Sequence, residues 1–206
     1  MKRGILLVGM IIFFVSISYG QDKVEAPIWN VGDKWIFTGG SVWEVVDSDE
    51  STYTIKSSDL KTSRIYRIYI RDKSSLNILY SIEGEKRKEY KGAHKRLLNF
   101  PLEIGKTWKD RFVSRARRSG IGDPENMYFE TFTVLGWEDI TVEAGKFRAI
   151  KIEYTQEGMG GARNWQGKAW FWYSPDVKYL VKCQYEKNPV WTGFYAWELV
   201  SFEFKK

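Results

Sequence analysis

From residue 28 onward the apolar residues of this chain recur with a period of two rather than 3.6. Residues two apart share one face of a strand, whereas a helix would need apolar residues three and four apart. Arg64-Ile65-Tyr66-Arg67-Ile68-Tyr69-Ile70-Arg71 is a long strand candidate, and Ile150, Ile152 and Tyr154 alternate with Lys151 and Glu153. Further candidates lie at 35–37, 41–46, 52–56, 78–82, 107–113, 128–137, 140–142, 167–173, 179–186 and 195–204. No stretch carries a long amphipathic helical pattern, and 97–102 admits a short turn at most. Roughly a dozen strands with turn punctuation predict an all-β fold, a single curved antiparallel sheet or partly closed barrel.

The turns have physical reasons. In Glu143-Ala144-Gly145-Lys146 the glycine supplies the positive φ of a tight hairpin. In Ser174-Pro175-Asp176-Val177 the proline presets φ for a type I turn. Residues 158–162 and 115–126 read as longer loops. Phe147 and Ala149 sit on one parity and Ile150, Ile152 and Tyr154 on the other, which predicts a bulge or a strand covered on both faces. Val31-Gly32-Asp33-Lys34-Trp35 echoes Ile104-Gly105-Lys106-Thr107-Trp108. The safer reading of the echo is two similar strand entries rather than a repeat protein.

The chain opens with Lys2 and Arg3, an apolar run from Ile5 to Ile17, and Ser18-Tyr19-Gly20 before Gln21. That is the grammar of a signal peptide over residues 1–20, removed to leave a single β domain at 21–206. The run is short of the roughly 20 residues a spanning helix needs, and no second apolar run of that length follows. The expected location is therefore outside the cytoplasm, periplasmic or secreted, with no transmembrane span after cleavage.

An exported domain with one cysteine must be held by burial. The chain carries 10 Trp, 12 Tyr and 12 Phe, an ample supply of large apolar surface. Cys183 lies on the apolar parity of its strand and reads as a core residue. The formal charge of +6 is concentrated between residues 84 and 118, where twelve Lys and Arg face four acids. From that stretch Lys86, Arg87, Lys88, Lys95, Arg96, Arg115, Arg117 and Arg118 are candidates for a basic patch. Export argues against nucleic acid, leaving lipid head groups or envelope polysaccharide as anionic partners.

Catalytic constellations are thin. His94 is the single histidine and stands in a basic loop, far in sequence from any partner. One His and one Cys supply no usual transition-metal set, and Asp47, Asp49 and Glu50 lack the remaining ligands of a hand-type calcium loop. Glu138 and Asp139 are adjacent, so a strand turns them to opposite faces. No catalytic residue, metal or cofactor is expected.

Aromatic residues are the stronger signal. Trp165, Trp170, Phe171, Trp172 and Tyr173 fall within nine residues, and Trp191 and Trp197 follow. Such a strand is apolar on both sides, so it belongs to a core, lines a cavity or presents a sugar platform. Trp165, Trp170, Trp172, Tyr173, Trp191 and Trp197 are accordingly the candidate ligand-binding residues.

Gly105-Lys106-Thr107-Trp108, then Thr141-Val142-Glu143-Ala144-Gly145-Lys146-Phe147, then Trp172-Tyr173-Ser174-Pro175-Asp176-Val177 occur in that order. The series resembles a family of uncharacterised bacterial exported β-sheet proteins with the motifs G-K-T-W, T-V-P-A-G-x-F and W-Y-S-P-x-V. The resemblance spans Phe100 to Glu186. It implies a curved antiparallel sheet, distantly like the incomplete barrel of periplasmic lipoprotein carriers, and it transfers no catalytic residue. Glu143 stands where that pattern has Pro, and Lys178 where it has Gly. The leading expectation is a non-enzymatic cell-envelope protein that binds an apolar or amphiphilic ligand. The alternatives are a carbohydrate-binding module and a carboxylate-dependent hydrolase.

Overall fold

The computed structural model describes residues 23–89, 96–115, 125–159, 165–186 and 196–205; at 88–89, 112–115, 125–126 and 165 it describes backbone only. Residues 1–20, expected to form a leader, lie outside the described residues. The first seven strands are β1 (Lys23–Val24), β2 (Lys34–Phe37), β3 (Ser41–Ser48), β4 (Thr52–Asp59), β5 (Ile65–Asp72), β6 (Ile78–Glu83) and β7 (Lys86–Glu89). Then come β8 (Leu102–Glu103), β9 (Thr107–Arg115), β10 (Glu125–Val142), β11 (Gly145–Met159), β12 (Trp165–Ser174), β13 (Tyr179–Tyr185) and β14 (Trp197–Glu203). No helix occurs among the described residues.

Apart from the small β1–β8 pair, all strands join one antiparallel sheet in the order β7-β6-β5-β4-β3-β2-β14-β13-β12-β11-β10-β9. Two meanders, β2 to β7 and β9 to β13, are therefore stitched together by the last strand. Phe37 pairs with Leu199 on one side of β14, and Cys183 with Trp197 on the other. β7 and β9 remain as edges, so the sheet does not close into a barrel.

Each meander begins on the same local device, the echo visible in the sequence. Gly32 and Gly105 both take positive φ, +93° and +82°. Gly32 N–H donates to Val45 O, and Val45 N–H returns to Asp33 O. Gly105 N–H donates to Val134 O, and Val134 N–H returns to Lys106 O. Trp35 and Trp108 follow at the matching offset, both buried. Neither glycine tolerates a side chain at this φ without strain.

Curvature follows from irregular register. Extra residues shift the pairing at Val45/Asp47, Ile70/Arg71, Val134/Gly136 and Trp172/Tyr173, among others. Each such bulge sharpens local twist and bends the strand. The stretches 128–137 and 140–142, expected as two strands, are one strand, β10, bent at Leu135. The parity switch in β11 is also explained, because Ala149 and Ile150 are both fully buried there. Ala144 N–H donates across the fold to Leu199 O, and Phe147 meets Phe202 at 5.9 Å, covering the second face.

The inner face holds an aromatic core. Trp29 packs on Trp35 at 5.0 Å, Tyr53 at 5.1 Å and Tyr179 at 5.6 Å. The indole N–H groups of Trp29 and Trp35 donate to the carbonyls of Lys178 and Val177, both at 2.9 Å. The 174–178 turn has the expected form, Val177 N–H donating to Ser174 O at 3.2 Å. It is thus pinned beneath the opposite meander.

Candidate functional site

The N-terminal meander leaves a cleft of about 520 Å³ on the inner face, beside the aromatic core. Strand register builds it. Trp43 of β3 pairs with Ser57 of β4, and Ser57 pairs with Arg67 of β5, so these three side chains project on one face. Tyr69 follows two residues after Arg67 on that face and stacks on Trp43, centroids 5.4 Å apart at 26°. Ser41 and Glu83 complete the walls, with Arg64, Ile65 and Tyr66 at the mouth. The Trp43 indole donates to Ser41 Oγ at 3.2 Å.

Charge in and behind the cleft is unbalanced toward positive. The Arg67 guanidinium donates to Glu83, which holds the Glu83 carboxyl below its ordinary range. Arg71 lies behind the walls, its guanidinium 5.0 Å from the Trp43 ring, 5.9 Å from Tyr69 and 5.7 Å from Tyr179. It is 6% exposed. One Nη donates to Leu76 O at 2.6 Å, while Nε has no partner. Among the described residues no carboxylate pairs with it. Buried guanidiniums ordinarily have one, because desolvating an uncompensated charge is costly. Aromatic faces and a carbonyl offset part of that cost.

The 72–77 turn positions this group. Asp72 Oδ1 accepts from Ser75 N–H at 2.9 Å and from the Ser75 hydroxyl at 2.7 Å. Leu76, fully buried, takes φ +56° and thereby turns its carbonyl to the guanidinium. The lining supplies hydroxyls, guanidiniums and stacked rings, while its one carboxylate is committed to Arg67. Such a site can bind an anion beside an aromatic surface.

The residues expected at a ligand site lie elsewhere. Trp170 and Trp172 lie on the face of β12 opposite Phe171 and Tyr173, and both still pack against buried hydrophobic residues. There Trp172 donates to Glu138 at 2.8 Å and lies between Lys151 and Lys182, with 5% of its surface exposed. Trp170 donates to Glu153, which also holds Lys168. Tyr173 is fully buried in the core against Phe100, and Trp197 packs on Phe37 at 4.9 Å. Trp191 and the side chain of Trp165 lie outside the described residues. None of the four described residues lines the cleft.

The basic candidates are divided by sheet order. Lys86 and Arg87 lie on edge strand β7, Arg87 over the Tyr80 ring at 3.7 Å. Arg96 lies by the other edge strand, 3.9 Å from Asp110 of β9. The side chains of Lys88 and Arg115, and all of Lys95, Arg117, Arg118 and His94, lie outside the described residues. Among the described residues no group of acids, Cys and His could hold a metal ion.

A carboxyl pair not foreseen from sequence is present. Asp110 and Glu130 are directly opposed across β9 and β10 and both are buried. Tyr154 and Gln156 donate to Glu130 at 2.7 and 3.0 Å. Burial pushes the Asp110 carboxyl up to about 6, against a smaller opposing pull from Arg96. The readable signal was an acid on the apolar parity of each strand, next to Trp108 and Phe132. Neither acid lines the cleft. Glu138 and Asp139 are each held by a separate cation, Lys151 and Arg148.

Residues 98–194, just under half of the chain, match the model of the DUF3108-like family. That stretch overlaps the one whose motifs resemble exported β-sheet proteins. It holds the C-terminal meander and leaves the cleft outside it. A comparison with curated proteins finds no match. Among solved structures, the hypothetical lipoprotein YmcC of Escherichia coli K12 is 11% identical, with 86% of this chain and 90% of that chain covered and a TM-score of 0.46. A candidate exported protein with a YmcC-like fold from Bacteroides fragilis is 12% identical, with 87% and 99% covered and a TM-score of 0.38. A candidate lipoprotein from Parabacteroides distasonis is 14% identical, with 89% and 100% covered and a TM-score of 0.39. No residue's role in this chain follows from them.

Proposed function

We propose that this is an exported, non-enzymatic protein of the cell envelope that binds an amphiphilic ligand in the cleft of its N-terminal meander. The observation that carries the reading is the cleft itself, about 520 Å³ and walled by the stacked Trp43 and Tyr69. That volume falls within the range of small-molecule sites, and stacked rings offer apolar area beside the Ser41 and Ser57 hydroxyls. Export is proposed from the basic, apolar and small-residue order of residues 1–20. The non-enzymatic reading is supported by a lining of hydroxyls and guanidiniums whose one carboxylate is tied to Arg67. Native mass spectrometry of the protein purified from its own envelope, followed by solvent extraction, tests the proposal. A copurified amphiphile released on extraction is the expected result. An apo mass under gentle conditions, with no uptake of added amphiphile, would overturn it.

A further inference from the structure

We propose that the ligand's head is an anion, a carboxylate or a phosphate or sulfate monoester, drawn to the inner end of the cleft by Arg71. This rests on the amphiphile reading above. Arg71 is a buried cation with no carboxylate among the described residues, and its Nε has no hydrogen-bond acceptor. Its guanidinium lies against the same two rings that wall the cleft, Trp43 and Tyr69. Aromatic walls screen poorly, so this charge acts on the inner cleft more strongly than a solvated one would.

The other charges near the site do not cancel it. Arg67 is matched by Glu83, and at the mouth Arg64 is offset by Asp59, which accepts from the Tyr66 hydroxyl at 2.8 Å, so Arg71 remains the unmatched charge. Because the Arg67 and Arg71 guanidiniums each lie 5.9 Å from the Tyr69 ring centre, a head beside Tyr69 is near both. Ser41 and Ser57 can donate to its remaining oxygens. The tail then lies along the Trp43 and Tyr69 rings toward Ile65 and Tyr66, both more than 45% exposed at the mouth.

The test is calorimetric titration of the delipidated full chain with dodecanoate, dodecan-1-ol, acetate and inorganic phosphate at neutral pH and physiological salt. Dodecanoate is expected to bind at least tenfold more tightly than dodecan-1-ol, with no measurable binding of acetate or phosphate. In Arg71→Met the preference for dodecanoate over dodecan-1-ol should fall below threefold. Equal affinity of the two twelve-carbon ligands for the unmodified protein would overturn the anionic head and leave the amphiphile reading intact. Acetate or phosphate binding as tightly as dodecanoate would instead overturn the amphiphile. Failure of every ligand to bind would overturn both. The comparison on the unmodified protein decides the matter even if Arg71→Met does not fold.

Discussion

The Arg71 guanidinium of β5 lies 5.7 Å from the ring of Tyr179 of β13, although five strand positions separate them in the sheet. In a flat sheet that interval would be about 24 Å. The contact therefore measures how far the bulges have coiled the two meanders toward each other. Tyr179 also touches Trp29, Trp35, Phe37 and Trp43, so its ring joins both halves. Tyr179→Ala should lower stability by about 3–5 kcal/mol, the range for emptying a buried aromatic site. Arg71→Met should cost less than about 1 kcal/mol, because an apolar side chain replaces a buried charge that has no acid partner. Urea denaturation of both variants checks this. A loss above 3 kcal/mol in Arg71→Met would make the guanidinium a structural element rather than a ligand-facing charge.

Cys183 is 1% exposed, and burial pushes its thiol up to about 12. It lies opposite Phe171 in the sheet and beside Trp197 across the seam with β14. A thiol that is neither accessible nor ionised reacts slowly. Ellman's reagent at pH 8 should leave the native protein unmodified for hours and label one thiol per chain in denaturing urea. Rapid native labelling would mean that the β13–β14 seam opens locally.

The strands were legible because burial on one face leaves a period of two, as in Trp35 and Phe37 or Ile152 and Tyr154. The two strand entries were legible because a glycine at positive φ before a buried Trp is a local requirement. Residues 128–142 were not readable as one strand, since the adjacent acids Glu138 and Asp139 interrupt the apolar pattern although both lie within β10. In β12 both parities are aromatic and both are buried, so alternation alone could not say that Phe171 lies on the inner face and Trp172 on the opposite one. The cleft was not readable for a different reason. Trp43, Ser57 and Arg67 meet only through register between three strands, and Arg71 meets Tyr179 only through curvature. Neither is encoded in any one segment.

The buried Asp110 gives a pH dependence whose sign can be worked out. Its carboxyl is pushed from an ordinary 3.8 up to about 6 by burial, so the folded state holds the proton more tightly than the unfolded one. Its contribution to stability is therefore most favourable below pH 3.8, falls through the window from 3.8 to 6, and is flat above it. The whole change is on the order of 2–3 kcal/mol. Asp110→Asn should remove that fall. Thermal melts should show the variant more stable than the parent at pH 8 and indistinguishable from it at pH 3.5, provided both remain folded there. Equal stability at pH 8 would mean that the charge is better solvated than its 4% side-chain exposure indicates.

Lys178 combines a cost with a compensation. It takes φ +58°, a conformation where a side chain is strained and where the motif pattern has glycine. Yet its ammonium lies 3.7 Å from the fully buried Asp33 carboxylate and 4.6 Å from the centre of the Phe204 ring. Asp33 also accepts from the backbone N–H groups of Asn30 and Lys205, both at 2.9 Å. Substitution by Gly or by Ala removes the ammonium alike, but only Gly relieves the backbone. Lys178→Gly should therefore be more stable than Lys178→Ala by about 1 kcal/mol in denaturant titration. The comparison isolates the backbone, because both variants leave Asp33 with the same two N–H donors. If the two variants unfold at the same urea concentration, Lys178 is unstrained, and the ion pair alone accounts for its place in the turn.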